Sequence, residues 1–198
     1  MELQRGGWGS KAASLTPLCD NNENWKPVSK AGGAAWLVFY GLFLLYALLH
    51  RGPGLFIDLV FLPIHEGGHL LFSYFGETLH VLGGTVLQLF VPFALALYFR
   101  QQRQVYGAAF SAFFFFENFL NIATYMADAR AQELPLVSAE GGDFIIHDWF
   151  FLFSKCGLLF YDTRIAALVR LLGWAGMVGV MVWLWKRTRV KSESEKSV

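Results

Sequence analysis

Between residues 31 and 99 only four of sixty-nine side chains carry a charge: Arg51, Asp58, Glu66 and Glu77. Such a stretch has too few polar groups to present a wet face to solvent. A helix crosses the hydrocarbon of a bilayer in about 20 mostly apolar residues. Segments 31–50, 55–75, 79–99, 105–126 and 165–185 all have that length and composition. Segment 145–160 is also apolar, but its sixteen residues are marginal as a crossing and suit a re-entrant or interfacial course. The expected fold is an all-α integral membrane protein, a polytopic helical bundle of five to six transmembrane segments.

Composition excludes the alternatives. At 55% hydrophobic and 16% charged residues, the chain departs from the about 45–50% and 25% of soluble domains. Disorder needs the opposite bias. A net charge of +1 offers no field for nucleic acid, so no such partner is expected. Cys19 and Cys156 are too few for a disulfide framework. Three regions follow: a polar tail over 1–30, a membrane-embedded domain over 31–185 and a basic tail over 186–198. The first thirty residues lack the apolar run of a cleavable signal, so insertion is expected to rely on segment 31–50. The natural surroundings are lipid, with a bacterial inner membrane as the expected location.

Orientation is argued from Lys and Arg. Lys186, Arg187, Arg189 and Lys191 in the tail and Arg100 and Arg103 in a loop should be cytoplasmic. With five crossings this places the acidic 127–144 connection outside, together with the basic N-terminal residues Arg5, Lys11, Lys26 and Lys30. The end of segment 55–75 and the 127–144 connection should then share a face.

Within the second segment stands His65-Glu66-Gly67-Gly68-His69, an H-E-x-x-H. Residues four apart on a helix lie one turn above each other, so both imidazoles can grip one metal ion. Glu66 projects beside them, where a carboxylate can take a proton from water. Chance produces this string in less than about one shuffle in a hundred of this composition. Burial in a bilayer adds weight, because a charged group at mid-membrane costs at least about 2.5–3.5 kcal/mol unless it finds a partner, a wet cavity or a metal. Gly67 and Gly68 let another backbone approach, either a neighbouring helix or a substrate strand.

An H-E-x-x-H inside an apolar span of a short polytopic chain resembles the site-2 protease family of intramembrane zinc metallopeptidases. The resemblance covers mainly residues 62–71 and the general layout of spans. It implies Zn2+ held by His65 and His69, Glu66 as the catalytic carboxylate, and a transmembrane or membrane-proximal protein as substrate. In that family the third ligand is an Asp in an Asp-Gly motif, and no Asp-Gly pair occurs in this chain.

The third ligand is therefore argued from position. Catalytic zinc takes three protein ligands and leaves one place for water. His69 lies six residues before Phe75, about 9 Å along the helix. His147 and Asp148 begin their apolar segment at that same face, and either could ligate while the other orients it. Alternatively the pair caps a helix, with Trp149 as an interfacial anchor. Glu117, set mid-span in Phe113-Phe114-Phe115-Phe116-Glu117-Asn118, and Asp128, which could instead pair with Arg130, are rival ligands. Asn118 and Asn121 could hydrogen-bond the metal site, a substrate or a helix. Gly83-Gly84-Thr85 could wall a cleft, offer an edge to substrate or mark a kink, and Gly173, Gly176 and Gly179 suit helix packing.

Two functions from different classes fit these residues. One is a zinc-dependent peptidase hydrolysing a peptide bond in or near the membrane. The other is a non-catalytic membrane protein, a substrate-binding relative or transporter component with a structural or vestigial metal site. A histidine-box di-iron oxygenase is disfavoured, since the chain has only five histidines.

Overall fold

The computed structural model describes residues 25–50, 52, 54–135 and 147–194. All regular structure among them is helical: α1 (Lys30–Leu49), α2 (Asp58–Phe72), α3 (Glu77–Gln101), α4 (Val105–Ala127), α5 (Asp148–Lys155) and α6 (Asp162–Ser194). Short 3-10 turns, Ser73–Phe75 and Leu159–Tyr161, precede α3 and α6. Most of the 1–30 tail, the residues Glu140 and Asp143 of the acidic connection, and Lys191's side chain lie outside the described part.

Four helical stretches are long and apolar enough to cross a membrane: α1, α3, α4 and Leu159–Arg189. This is fewer than the five to six expected from hydropathy. The 15 residues of α2 extend only about 22 Å, and the eight of α5 about 12 Å, against a hydrocarbon thickness of about 30 Å. Apolar composition marks burial in lipid or protein, and these two segments are apolar without being long.

The ends of the long helices sort onto two faces. The Lys26 amide donates to the Arg103 carbonyl at 2.9 Å, and Tyr106 Oη donates to the Ser29 carbonyl at 3.0 Å. Gly33 abuts Thr188, and the Arg187 guanidinium stacks over Trp25. The start of α1, the α3–α4 turn and the end of α6 therefore share one face. The end of α1, the start of α3, the end of α4 and the start of α6 share the other, so segment 50–76 leaves and returns to that same face. Lys26 and Lys30 thus lie with Arg103 and Arg187, which corrects the expectation that five crossings would separate them. The error came from counting α2 as a full span.

Packing explains where the site forms. Glycines bring α2 and α3 into backbone contact: a Cβ on Gly83 would lie 2.6 Å from the Gly68 carbonyl oxygen. Gly173 and Gly176 receive α4 at Phe116, whereas nothing meets Gly179. Trp149, Leu152 and Phe153 recur at helical spacing on α5 and are buried in one cluster with Val81, Ile122 and Met126. That apolar stripe seats α5 against the first turns of α3 and the last turns of α4, and so sets which way Asp148 points.

Candidate metal centre

The H-E-x-x-H lies in the second half of α2, with His65 buried and His69 half-buried. Their imidazoles meet edge-on, and the two Nε2 atoms are 3.1 Å apart. Asp148, the first residue of α5, brings Oδ2 to 3.0 Å from His65 Nε2 and 3.3 Å from His69 Nε2. One donor atom each from His65, Glu66 and His69 also fall within 4.8 Å of one another. Three ligand atoms thus converge on a single point, with the Glu66 carboxylate beside it.

The hydrogen bonds behind the rings decide their protonation. A backbone carbonyl can only accept, so His69 Nδ1, 2.9 Å from the His80 carbonyl, carries its ring proton there. For His65 the logic runs through three side chains. Asn118 Nδ2 donates to the Phe114 carbonyl at 2.7 Å, which orients its amide. Its Oδ1 then accepts from Gln88 Nε2 at 2.7 Å, and Asn121 Oδ1 accepts from the same nitrogen at 3.0 Å. Gln88 Oε1 must therefore be the atom that accepts from His65 Nδ1 at 3.0 Å. With both Nδ1 atoms protonated, each imidazole in its neutral form turns its Nε2 lone pair to the same point as the Asp148 carboxylate. Three acceptors about 3 Å apart repel unless a cation sits among them.

A metal fits this donor set. The point where the three atoms converge lies against Gly84, whose missing Cβ would stand 2.6 Å from the Nε2 of both histidines. A side chain on α3 at this position would close the space. Burial pushes the Asp148 carboxyl up, but hydrogen bonds from the two imidazoles, when these carry a proton at Nε2, outweigh this and hold it below the ordinary carboxylate range. The Asp148 amide donates to Tyr125 Oη at 3.2 Å, which ties the start of α5 to α4.

The other candidates are placed elsewhere. His147 caps α5, its Nδ1 accepting from the Phe150 amide at 3.3 Å, and stacks on Tyr125. Its Nε2 is directed to Asp128 Oδ2 at 3.3 Å, away from the two motif histidines. Burial holds the His147 ring below the usual histidine range, with Asp128 pulling the other way. Asp128 also accepts from the Glu133 and Leu134 amides. Arg130 binds Asp162 at 2.7 Å instead of Asp128. Glu117 meets Asp58. Asn118 and Asn121 do serve the site, through Gln88. Gly83 and Gly84 belong to a continuous helix and form its helix-to-helix contact and its wall.

Sequence reasoning passed over Gln88 and Tyr125 as parts of the centre, whereas Gly84 stands in the stretch it offered as a cleft wall. Gln88 carried a signal, a polar side chain amid apolar residues of α3. Tyr125 carried none, because an aromatic near a helix end is common for many reasons. Replacing Gln88 by Leu frees the His65 ring to turn and is expected to weaken divalent-metal affinity 10- to 100-fold, as about that much is lost when such orienting partners go. Competition titration with a chromophoric chelator measures it. The chain has no match among family models, curated proteins or solved structures.

Proposed function

We propose that the protein is a membrane-embedded, zinc-dependent metallopeptidase that hydrolyses a peptide bond in or near the bilayer. His65, His69 and Asp148 hold the metal and Glu66 handles the proton. The observation that carries this reading is the triangle of Nε2, Nε2 and Oδ2 atoms with sides of 3.0, 3.1 and 3.3 Å, all three turned to one point. A tetrahedral zinc with bonds of about 2.0–2.1 Å has ligand–ligand edges of about 3.3–3.4 Å. Two imidazoles and one carboxylate with a fourth position open form a donor set typical of catalytic zinc.

When bound, zinc supplies Lewis acidity to a substrate carbonyl and to water. Glu66 accepts the proton of the attacking water and returns it to the departing amine. Gln88 and the His80 carbonyl hold both rings still while this happens. A helical substrate has its carbonyls engaged in hydrogen bonds, so it must unwind locally before attack.

In the membrane, α1, α3, α4 and α6 make four crossings, with the end of α1 and the start of α3 at one face and the end of α4 and the start of α6 at that same face. Lys26, Lys30, Arg100, Arg103, Lys186 and Arg187 all gather at the opposite face, which the positive-inside rule makes cytoplasmic. The metal centre lies near the first turn of α3 and opens toward the other side, the external one for a bacterial inner membrane. Cleavage is accordingly proposed in the outer half of the bilayer.

The experiment is Glu66→Gln. This near-isosteric change is expected to leave zinc content unchanged and to lower the rate of peptide hydrolysis by about 10²–10⁴, the usual worth of a positioned acid–base group. A variant with wild-type turnover rules out the assigned role of Glu66.

A further inference from the structure

A second polar cluster lies deeper in the bundle, beyond the metal centre. Glu117 is fully buried in α4, and neither of its carboxyl oxygens accepts a hydrogen bond among the described residues. Its carboxyl group faces that of Asp58 at the start of α2. Asp58 Oδ2 accepts from the Leu55 amide at 2.6 Å, while Oδ1 is buried and has no hydrogen-bond partner. Asn121 also lies at Asp58. On its open side Asp58 lines a cavity of about 290 Å³, bounded also by His50, Asn121, Thr124, Arg170 and Trp174.

Two carboxylates this close in a medium of low dielectric cannot both stay charged without a cation between them. Among the described residues no cationic side chain is seated between the two carboxyl groups. Arg170 donates to Thr124 Oγ1 at 3.2 Å across the cavity, and His50 stands at its mouth. One positive charge between the carboxyls leaves a single negative charge for Arg170 and His50 to balance. A divalent ion would overcompensate. Tyr40 of α1, also buried, stacks on Phe113.

We propose that Asp58 and Glu117 form a monovalent-cation site, in which one proton or one sodium ion is shared by the two carboxyl groups and exchanges through the cavity. It does not rest on the peptidase reading, since neither residue contributes to the metal centre. The nearest link is indirect, from Asp58 through Asn121 and Gln88 to His65.

An apolar carbodiimide tests this on the full chain purified in detergent. It reacts only with a protonated carboxyl: the acid proton passes to one nitrogen of N=C=N and the carboxyl oxygen bonds the central carbon. The O-acylisourea then rearranges to a stable N-acylurea, so the reagent adds whole and nothing leaves. In sodium-free choline buffer at mildly acidic pH, peptide mass spectrometry is expected to find the adduct on Glu117 or Asp58, declining at least tenfold at alkaline pH. Protection by sodium chloride at constant ionic strength assigns sodium as the occupant, and equal labelling in both salts assigns the proton. Glu117→Gln should remove the adduct at 117. Asp58→Asn should move the pH midpoint of labelling at Glu117 down by about one unit or more, or weaken the sodium protection correspondingly. Absence of any adduct at both residues across the pH range in monodisperse protein would overturn the proposal. So would a midpoint and sodium response unmoved by Asp58→Asn.

Discussion

Purified protein is expected to hold one zinc ion per chain, and Asp148→Ala is expected to lower zinc affinity at least about a hundredfold, beyond what the loss of a mere orienting partner costs. The reasoning is geometric. Asp148 brings a carboxylate oxygen within 3.3 Å of both Nε2 atoms. Without it two neutral imidazoles remain, and the ion loses one of three protein ligands together with the negative charge that offsets its own. Peptide hydrolysis should fall with the metal. His147→Ala provides the contrast, because its ring caps α5 and faces Asp128. That change should cost about 1 kcal/mol of stability, the usual worth of a helix cap, and leave zinc content at the wild-type level. Elemental analysis and chelator competition on both variants decide between the neighbours. An Asp148→Ala protein with full zinc, or a His147→Ala protein without it, would falsify the assignment of the third ligand.

Gly84→Ala is expected to abolish zinc binding while the helices remain assembled. The added Cβ would lie 2.6 Å from Nε2 of both histidines, and these are ends of side chains that can swing aside. Swinging them breaks the bonds to Gln88 and the His80 carbonyl and scatters the lone pairs that converge on the metal. A loss of activity of at least about 10²-fold should accompany normal helical circular dichroism and a normal elution profile, as misplacing reacting groups by about 1 Å costs that much. Gly68→Ala should behave differently. Its Cβ would strike the Gly83 carbonyl and lie 2.8 Å from Gly84 Cα, and backbone atoms of two packed helices have nowhere to go. That variant is expected not to accumulate as folded protein. Wild-type zinc in Gly84→Ala would mean that the ion, if present, sits elsewhere.

Much of the centre was legible because the helical repeat is a local property. His65 and His69, four residues apart, could only face the same way once the segment was helical, and Glu66 could only stand beside them. The apolar runs likewise marked α1, α3, α4 and α6 as long helices. Position along the chain left His147, Asp148, Glu117 and Asp128 as candidates for a third ligand and did not separate the first two. Adjacent helical residues point about 100° apart, so the answer depends on the rotation of α5 about its axis. Trp149, Leu152 and Phe153 set that rotation by burying themselves against α3 and α4.

The course of α2 escaped the sequence for a related reason. Hydropathy reports whether a segment is buried, not whether it travels across. Here α1 ends and α3 begins at the same face, which obliges the segment between them to turn back. The pairing of Glu117 with Asp58 was equally out of reach, since fifty-nine residues separate them and neither sits in a recognisable pattern. What the chain alone determined was which stretches are helical and that two imidazoles and a carboxylate share a stretch of one helix. Only the packed bundle brings the distant Asp148 carboxylate beside them, because that placement depends on contacts between helices, and no periodicity along one helix encodes its angle to another.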